Sequence, residues 1–142
     1  MEKQIVKKYY DIDKKIIMEE YFLNNKKKNG EYKSYHYNGN LRQICYYKDD
    51  ILEGECKEYD NNGNMLLTYN YINGKIEGEY RNYYKTGKIF ELRNYKNGQL
   101  DGEAISYFDD GTIQCIYKYI DGILDKTYTY ENGKLKEEEI EG

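Results

Sequence analysis

Apolar and polar positions alternate along this chain in short runs punctuated by glycine, and the runs repeat. The triplet Gly30-Glu31-Tyr32 returns as Gly54-Glu55-Cys56, Gly78-Glu79-Tyr80 and Gly102-Glu103-Ala104, so first glycines fall at 30, 54, 78 and 102, a constant step of 24 residues. A second glycine follows at 39, 63, 87 and 111, and a third at 74, 98 and 122, with Asp50 in the first copy. Tyr35, Tyr59, Tyr83 and Tyr107 form one column, and Tyr47, Tyr71, Tyr95 and Tyr119 a second. Aliphatic columns run through Leu41, Met65, Ile89, Ile113 and through Leu52, Ile76, Leu100, Leu124. Period-2 runs bounded by Asn-Gly or Asp-Gly are hairpin signals, so each copy reads as two short strands. A fixed period of this length marks a repeat architecture rather than a sequence of unrelated elements.

The turn chemistry refines this reading. The residue before the second glycine is Asn38, Asn62, Thr86 or Asp110. A two-residue type I′ turn would force that position to positive φ, which a β-branched Thr86 resists. A type I turn closed by a left-handed glycine, the G1-bulge form, is the expected geometry. With that turn, strict alternation places Tyr35, Leu41, Cys45 and Tyr47 on one face, with their equivalents in later copies. A one-residue slip would reverse the assignment.

Weaker copies extend the array at both ends. Tyr10, Ile16 and Leu23 fill the Tyr, aliphatic and second Tyr columns before Gly30, with Asn25-Lys26 at the turn; Tyr130 to Leu135 repeats the pattern of Tyr71 to Ile76. Atypical terminal copies are usual, because an end repeat has one neighbour only. The expected organisation is one domain over 1–142: a degenerate copy at 6–29, regular copies at 30–53, 54–77, 78–101 and 102–125, and a partial copy at 126–142. The run Ile16-Ile17-Met18-Glu19-Glu20-Tyr21-Phe22-Leu23 is ambiguous between helix and strand. Its fit to the columns favours strand.

Composition then says what sort of core to expect. Twenty Tyr stand against 3 Phe, with no Trp and no Pro, and mean hydropathy is −1.07. A deep aliphatic core is excluded, but a thin sheet faced with tyrosine is not, because the ring buries area while the hydroxyl stays bonded or wet. The formal charge of −4 gives no basic stripe for nucleic acid. The one dense basic run, Lys26-Lys27-Lys28, reads as a solvated turn, and the tail from Lys136 to Glu141 as a frayed acidic end. No segment has the length and apolarity of a membrane span or a signal-peptide core, which makes a cytoplasmic location the expectation. Cys45, Cys56 and Cys115 are odd in number, lack CxxC spacing and interrupt different columns. They read as small buried hydrophobes rather than a disulfide framework or metal site.

Candidate chemistry is sparse. His36 sits on a strand near a turn, where a structural position outweighs a general base or ligand. Asp49-Asp50 and Asp109-Asp110 fall at turns, where Asp bonds its own backbone. Glu31, Glu55, Glu79 and Glu103 would stack like charges unless Lys33, Lys57 and Arg81 offset them; the ladder is a solvated row or an acidic docking stripe. No catalytic motif, cofactor loop or metal set is recognisable, and no enzyme is expected.

Gly-Glu-Tyr, the two Tyr columns, Asn38-Gly39-Asn40-Leu41 and Gly74-Lys75-Ile76 together resemble the MORN-repeat variant, a relative of the membrane occupation and recognition nexus repeat. The resemblance is close over 30–125 and weak outside it. It implies an all-β, elongated and twisted single-layer antiparallel sheet of tandem β-hairpins, with aromatic residues along a groove. In function it implies protein scaffolding, antitoxin-type binding, or membrane and lipid binding. The name of phosphatidylinositol-4-phosphate 5-kinase attaches to some relatives only through shared repeats, and this chain carries no kinase signature. The expected function is a non-catalytic, cofactor-free module that binds a protein, with antitoxin-like pairing and self-association as forms of it. Peripheral phosphoinositide binding is the alternative. The binding face is expected to be the Tyr columns Tyr35, Tyr47, Tyr59, Tyr71, Tyr83, Tyr95, Tyr107 and Tyr119, which could equally be core.

Overall fold

A computed structural model of the chain describes residues 3–141. Strands follow one another with no helix among the described residues: β1 (Lys3–Tyr9), β2 (Ile17–Asn24), β3 (Lys27–Tyr35), β4 (Leu41–Lys48), β5 (Ile51–Leu52), β6 (Gly54–Tyr59), β7 (Met65–Ile72), β8 (Lys75–Ile76), β9 (Gly78–Tyr83), β10 (Ile89–Lys96), β11 (Gln99–Leu100), β12 (Gly102–Tyr107), β13 (Ile113–Ile120), β14 (Ile123–Glu131) and β15 (Lys134–Ile140). The chain is all-β and built from tandem antiparallel hairpins, as the period predicts. The ambiguous run beside Ile16 is indeed strand, as β2.

Backbone contacts divide the chain into two units, residues 1–75 and 76–142. In the first, strand order is β1-β2-β3-β4-β6-β7, with β5 on β4; in the second it is β9-β10-β12-β13-β14-β15, with β11 on β10. Each unit is one ladder of strands in chain order, so within a unit each hairpin rests on its sequence neighbours.

Two turn classes alternate. At the second glycines the expected bulged type I turn is present. Gly39 N–H donates to the His36 carbonyl at 2.9 Å, His36 N–H donates to Asn40 at 2.8 Å, and Gly39 has φ +89° while Asn38 stays out of the positive region. Gly63, Gly87 and Gly111 repeat the pattern. At the third glycines both central residues have positive φ, for example Asn73 at 50° and Gly74 at 78°, which is the type I′ signature. Asp49 and Asp50 take this conformation without any glycine, at 47° and 68°. Asp tolerates the left-handed region better than most residues.

The bulge changes which residues share a face. Ser34 pairs with Gln43 but Tyr35 pairs with Leu41, leaving Arg42 as an extra residue. Leu66, Phe90 and Gln114 are the extra residues in the later copies. On the unbulged strand alternation continues, so Tyr35 lies with Glu31 and Lys33, and its partner Leu41 goes with it. Cys45 and Tyr47 lie on the other face. The expectation of a single face carrying both Tyr columns is therefore corrected: the extra residue breaks the parity on which it rested. Tyr35, Tyr59, Tyr83 and Tyr107 face one way, and Tyr47, Tyr71, Tyr95 and Tyr119 the other.

The N-terminal copy needs a similar one-residue shift. Tyr9 pairs with Ile17 as Tyr35 does with Leu41, so Tyr9 and Ile17, not Tyr10 and Ile16, fill those columns. Tyr10 instead donates its hydroxyl to the Tyr35 carbonyl at 2.6 Å, as Tyr84 does to Tyr107.

The core is a row of residues crossing the strands. In the first unit Tyr21 faces Tyr32, Tyr32 faces Cys45, and Cys56 faces Tyr69. Cys45 and Cys56 oppose each other across β4 and β6, with Cα atoms 4.4 Å apart, and form a disulfide. In the second unit Tyr80 faces Arg93 and Ala104 faces Tyr117. Among the described residues the buried side chains are Cys45, Cys56, Tyr69 and Ala104. Large side chains flank small ones and fold over them, which is how a one-layer sheet excludes water without a second layer.

The disulfide corrects the reading of the cysteines. They interrupt different columns within a repeat, but the antiparallel register sets the second strand of one copy against the first strand of the next. That register makes the two positions neighbours. Disulfides persist in oxidising compartments, so the cysteines no longer lend support to a cytoplasmic location.

Candidate binding groove

The groove face is built from the inward positions of each strand. In the first unit Lys28, Tyr32, Gln43, Tyr47, Tyr69 and Tyr71 enclose a hollow of about 150 Å³ whose floor includes Cys45. Tyr69 donates its hydroxyl to Glu58 at 2.8 Å and accepts from the Gln43 amide at 3.0 Å. Tyr32 donates to Glu19 at 2.5 Å. Lys28 stands where later copies carry Leu52, Ile76, Leu100 and Leu124, and its ammonium lies 4.7, 5.4 and 5.1 Å from the ring centres of Tyr21, Tyr32 and Tyr47. These cation–π contacts let a charged residue serve in an aliphatic column. Of the basic run, Lys26 is in the turn with φ +65°, while Lys28 turns inward.

In the second unit a hollow of about 420 Å³ is lined by residues that include Phe90, Glu91, Arg93, Leu100, Tyr117 and Tyr119. Arg93 pairs with Glu91 and lies 5.9 Å from the Tyr80 ring centre. Tyr95 packs against Tyr80 at 5.8 Å.

Burial raises the pKa of several groove phenols above the ordinary value of 10.0. For Tyr32 and Tyr69, desolvation leads, reinforced by the Glu19 and Glu58 carboxylates that their hydroxyls bond. For Tyr47, desolvation leads and Tyr71 adds to it. For Tyr117 the bond with Cys115 comes first and burial second. A folded-state pKa above the unfolded value contributes stability that is complete below about pH 10 and is lost as pH rises through the folded values. We expect a late-titrating fraction in a tyrosinate absorbance titration, coincident with unfolding, and a smaller one in Tyr69→Phe. All tyrosines titrating together near pH 10 in a folded chain would contradict this.

The reverse face carries the other Tyr column with the Glu ladder. Glu31 pairs with Lys33 at 3.4 Å, Glu55 with Lys57 at 3.2 Å, and Glu79 with Arg81. Glu103 pairs with Lys118 at 3.7 Å. The like charges are offset within the sheet, as the sequence suggests. These exposed pairs contribute little to stability.

Polar side chains also join copy to copy. Glu53 accepts from the Asn73 backbone N–H at 2.7 Å, and Glu77 from that of Asn97 at 2.7 Å. Asn29 and Asp101 do the same for Asp49 and Asp121, at 3.0 and 3.4 Å. Sequence inspection missed this column, although its signal was there: an acid or amide 20 residues before each of the turns at 49, 73, 97 and 121. His36 belongs to the same class of contact, since its Nε2 donates to the Tyr59 carbonyl at 2.8 Å.

Comparison with known proteins follows the same periodicity. Segments 28–49, 52–73, 76–97 and 100–121 each match the MORN repeat variant, and together they make up more than half of the chain. The chain belongs to the MORN repeat variant family. Repeats of this family are non-catalytic modules that bind proteins or membranes. No match was found among curated proteins. Among solved structures, the chain is similar to part of one in the crystal structure of a GtfA/B complex bound to UDP and GlcNAc. That likeness has 16% identity and a TM-score of 0.30, and covers 76% of this chain but 22% of the other. The MORN repeats here thus turn two tyrosine columns to opposite faces, one on the groove side and one beside the charged ladder on the reverse side.

Proposed function

We propose that this MORN array is a protein-binding or scaffolding module that engages its partner through the groove face, with antitoxin-like pairing as one form of that role. The observation that carries the reading is the state of the groove tyrosines. The hydroxyls of Tyr47, Tyr71 and Tyr119 make no hydrogen bond among the described residues, although their rings line the two hollows. Half-buried rings with free hydroxyls supply apolar area and directed polar contacts at low entropic cost, which suits a recognition surface. Charge weighs against the membrane alternative. Attraction to anionic lipid needs clustered basic residues, whereas the chain is net −4 and Lys28 is turned into the groove.

Vesicle flotation separates the two. With phosphoinositide-containing vesicles at about 0.15 M salt, a screened physiological condition, the protein is expected to remain in the dense fraction. Robust flotation there would replace the protein-binding reading with the lipid one.

A further inference from the structure

Among the described residues, β1 (Lys3–Tyr9) and β15 (Lys134–Ile140) end the strand order, so each is paired on one side only. The acidic tail, expected to fray, is strand β15, and all seven of its residues are exposed. An unpaired edge presents a row of free N–H and C=O groups, a template for another strand. The two edges differ in charge. β1 holds Lys3, Lys7 and Lys8 and no acid, whereas β15 sets Glu137, Glu138 and Glu139 side by side.

The repeat dictates how such edges would meet. Lys8 faces Glu19 as Ser34 faces Gln43, so β1 is the first strand of a copy and Lys8 holds the position of Ser34 and, one period on, Glu58. Thr129 faces Glu137 and, after one extra residue, Tyr130 faces Leu135. Ser34 with Gln43 and Tyr35 with Leu41 do the same, so β15 is a second strand with Glu137 in the place of Gln43. Within each unit the second strand of one copy pairs with the first strand of the next. Gln43 faces Glu58 and Ile44 faces Lys57; Glu91 faces Ser106 and Leu92 faces Ile105. Applied between β15 of one chain and β1 of another, this register sets Glu137 against Lys8 and Glu138 against Lys7. Two residues further it sets Ile140 against Ile5, which are 69% and 59% exposed.

We propose that a second copy of this chain adds its β1 to the β15 edge, head to tail, so that the repeat continues from one chain into the next. This goes beyond the groove reading and uses a different surface. Opposite charges directly across a strand pair stabilise it, and like charges oppose it. Pairing β1 with β1 would bring lysines together, and β15 with β15 glutamates. The charges that guard each edge against itself therefore select the mixed pair. Within the chain Lys8 already bonds Glu19 at 2.8 Å and Lys7 bonds Glu20 at 3.5 Å. The junction makes each lysine the middle of a Glu–Lys–Glu row, one row on each face of the sheet. Such a contact joins unlike surfaces, so a copy that has bound one neighbour keeps an edge for another.

The test is sedimentation of the whole chain at concentrations up to about 1 mM, where weak association is populated. The native chain is expected to form oligomers reversibly as concentration rises, and to shift toward monomer in about 0.5 M salt, which screens exposed charges. The double variant Lys7→Glu, Lys8→Glu and, separately, Glu137→Lys, Glu138→Lys should each weaken association by about tenfold or more. Mixed together, the two reversed chains should associate again, since the acidic β15 of the first meets the native β1 of the second. If the lysine variant does not fold without its bonds to Glu19 and Glu20, Ile5→Glu takes its place, alone and in the mixture. The proposal is overturned by a native chain that stays monomeric, by association indifferent to salt, by reversed chains that associate as well as the native one, or by a mixture that stays apart. A monomeric native chain would leave the groove reading intact, because retention of a different protein tests that reading on its own.

Discussion

Tyr69→Ala is expected to be the most damaging single substitution in the chain, lowering stability by about 3–5 kcal/mol, the usual cost of deleting a buried aromatic side chain. Tyr69 is 7% exposed, the lowest of any tyrosine described, and its ring meets Tyr71 edge-on at 5.6 Å. It also faces Cys56, which is fully buried, so its loss would let water reach the middle of the row. Tyr69→Phe keeps the ring and loses the bonds to Glu58 and Gln43, at a cost of about 1–2 kcal/mol. Denaturant unfolding followed by circular dichroism gives both numbers. In an array where each repeat leans on its neighbours, amide exchange should rise first in β6 and β7. A loss below about 1 kcal/mol for the alanine variant would mean that the row is not the core.

The second large effect concerns Cys45 and Cys56. They are 11 residues apart and close a short loop. Chain-entropy reasoning assigns such a link about 3 kcal/mol, through restriction of the unfolded state. The double variant Cys45→Ala, Cys56→Ala should lose stability of that order. Adding a thiol reductant should lower the unfolding midpoint of the native chain but not that of the double variant. Equal response of the two proteins to reductant would show that the bond contributes nothing. Cys115 is a free thiol, so the reductant effect belongs to the pair alone.

Much of this fold was legible in the residues, for identifiable reasons. The glycines recur because two turn classes each demand left-handed backbone, and Thr86 before Gly87 pointed to the bulged class at the second glycines. The Glu ladder with its Lys and Arg neighbours was readable because residues two apart on a strand share a face. Three features were not readable. The faces of the Tyr columns depend on one extra residue, at Arg42, Leu66, Phe90 or Gln114, and nothing in those side chains marks a bulge. The cysteine pair depends on the register between consecutive copies, which the period does not specify. The Asn29, Glu53, Glu77 and Asp101 contacts look like ordinary loop polarity until the turn 20 residues later is seen to rest on them. Of the groove residues, Tyr69 was placed with Tyr71 as the equivalent of Cys45, but Tyr32 was not singled out because its column also holds Cys56 and Ala104, and Lys28 read as part of a solvated basic turn although its column is otherwise aliphatic. Departures from a repeat, more than its constant positions, mark where this chain's surface is individual.

The separation of faces offers the most direct test of the account. Tyr47→Ala removes a groove ring and Tyr59→Ala removes a ring from the reverse face of the same unit. Immobilised native and variant chains, matched for folding by circular dichroism, would be compared for retention of the protein that the native chain binds. Loss of retention with Tyr47→Ala and its survival with Tyr59→Ala is the predicted result; retention kept by Tyr47→Ala and lost by Tyr59→Ala would contradict it.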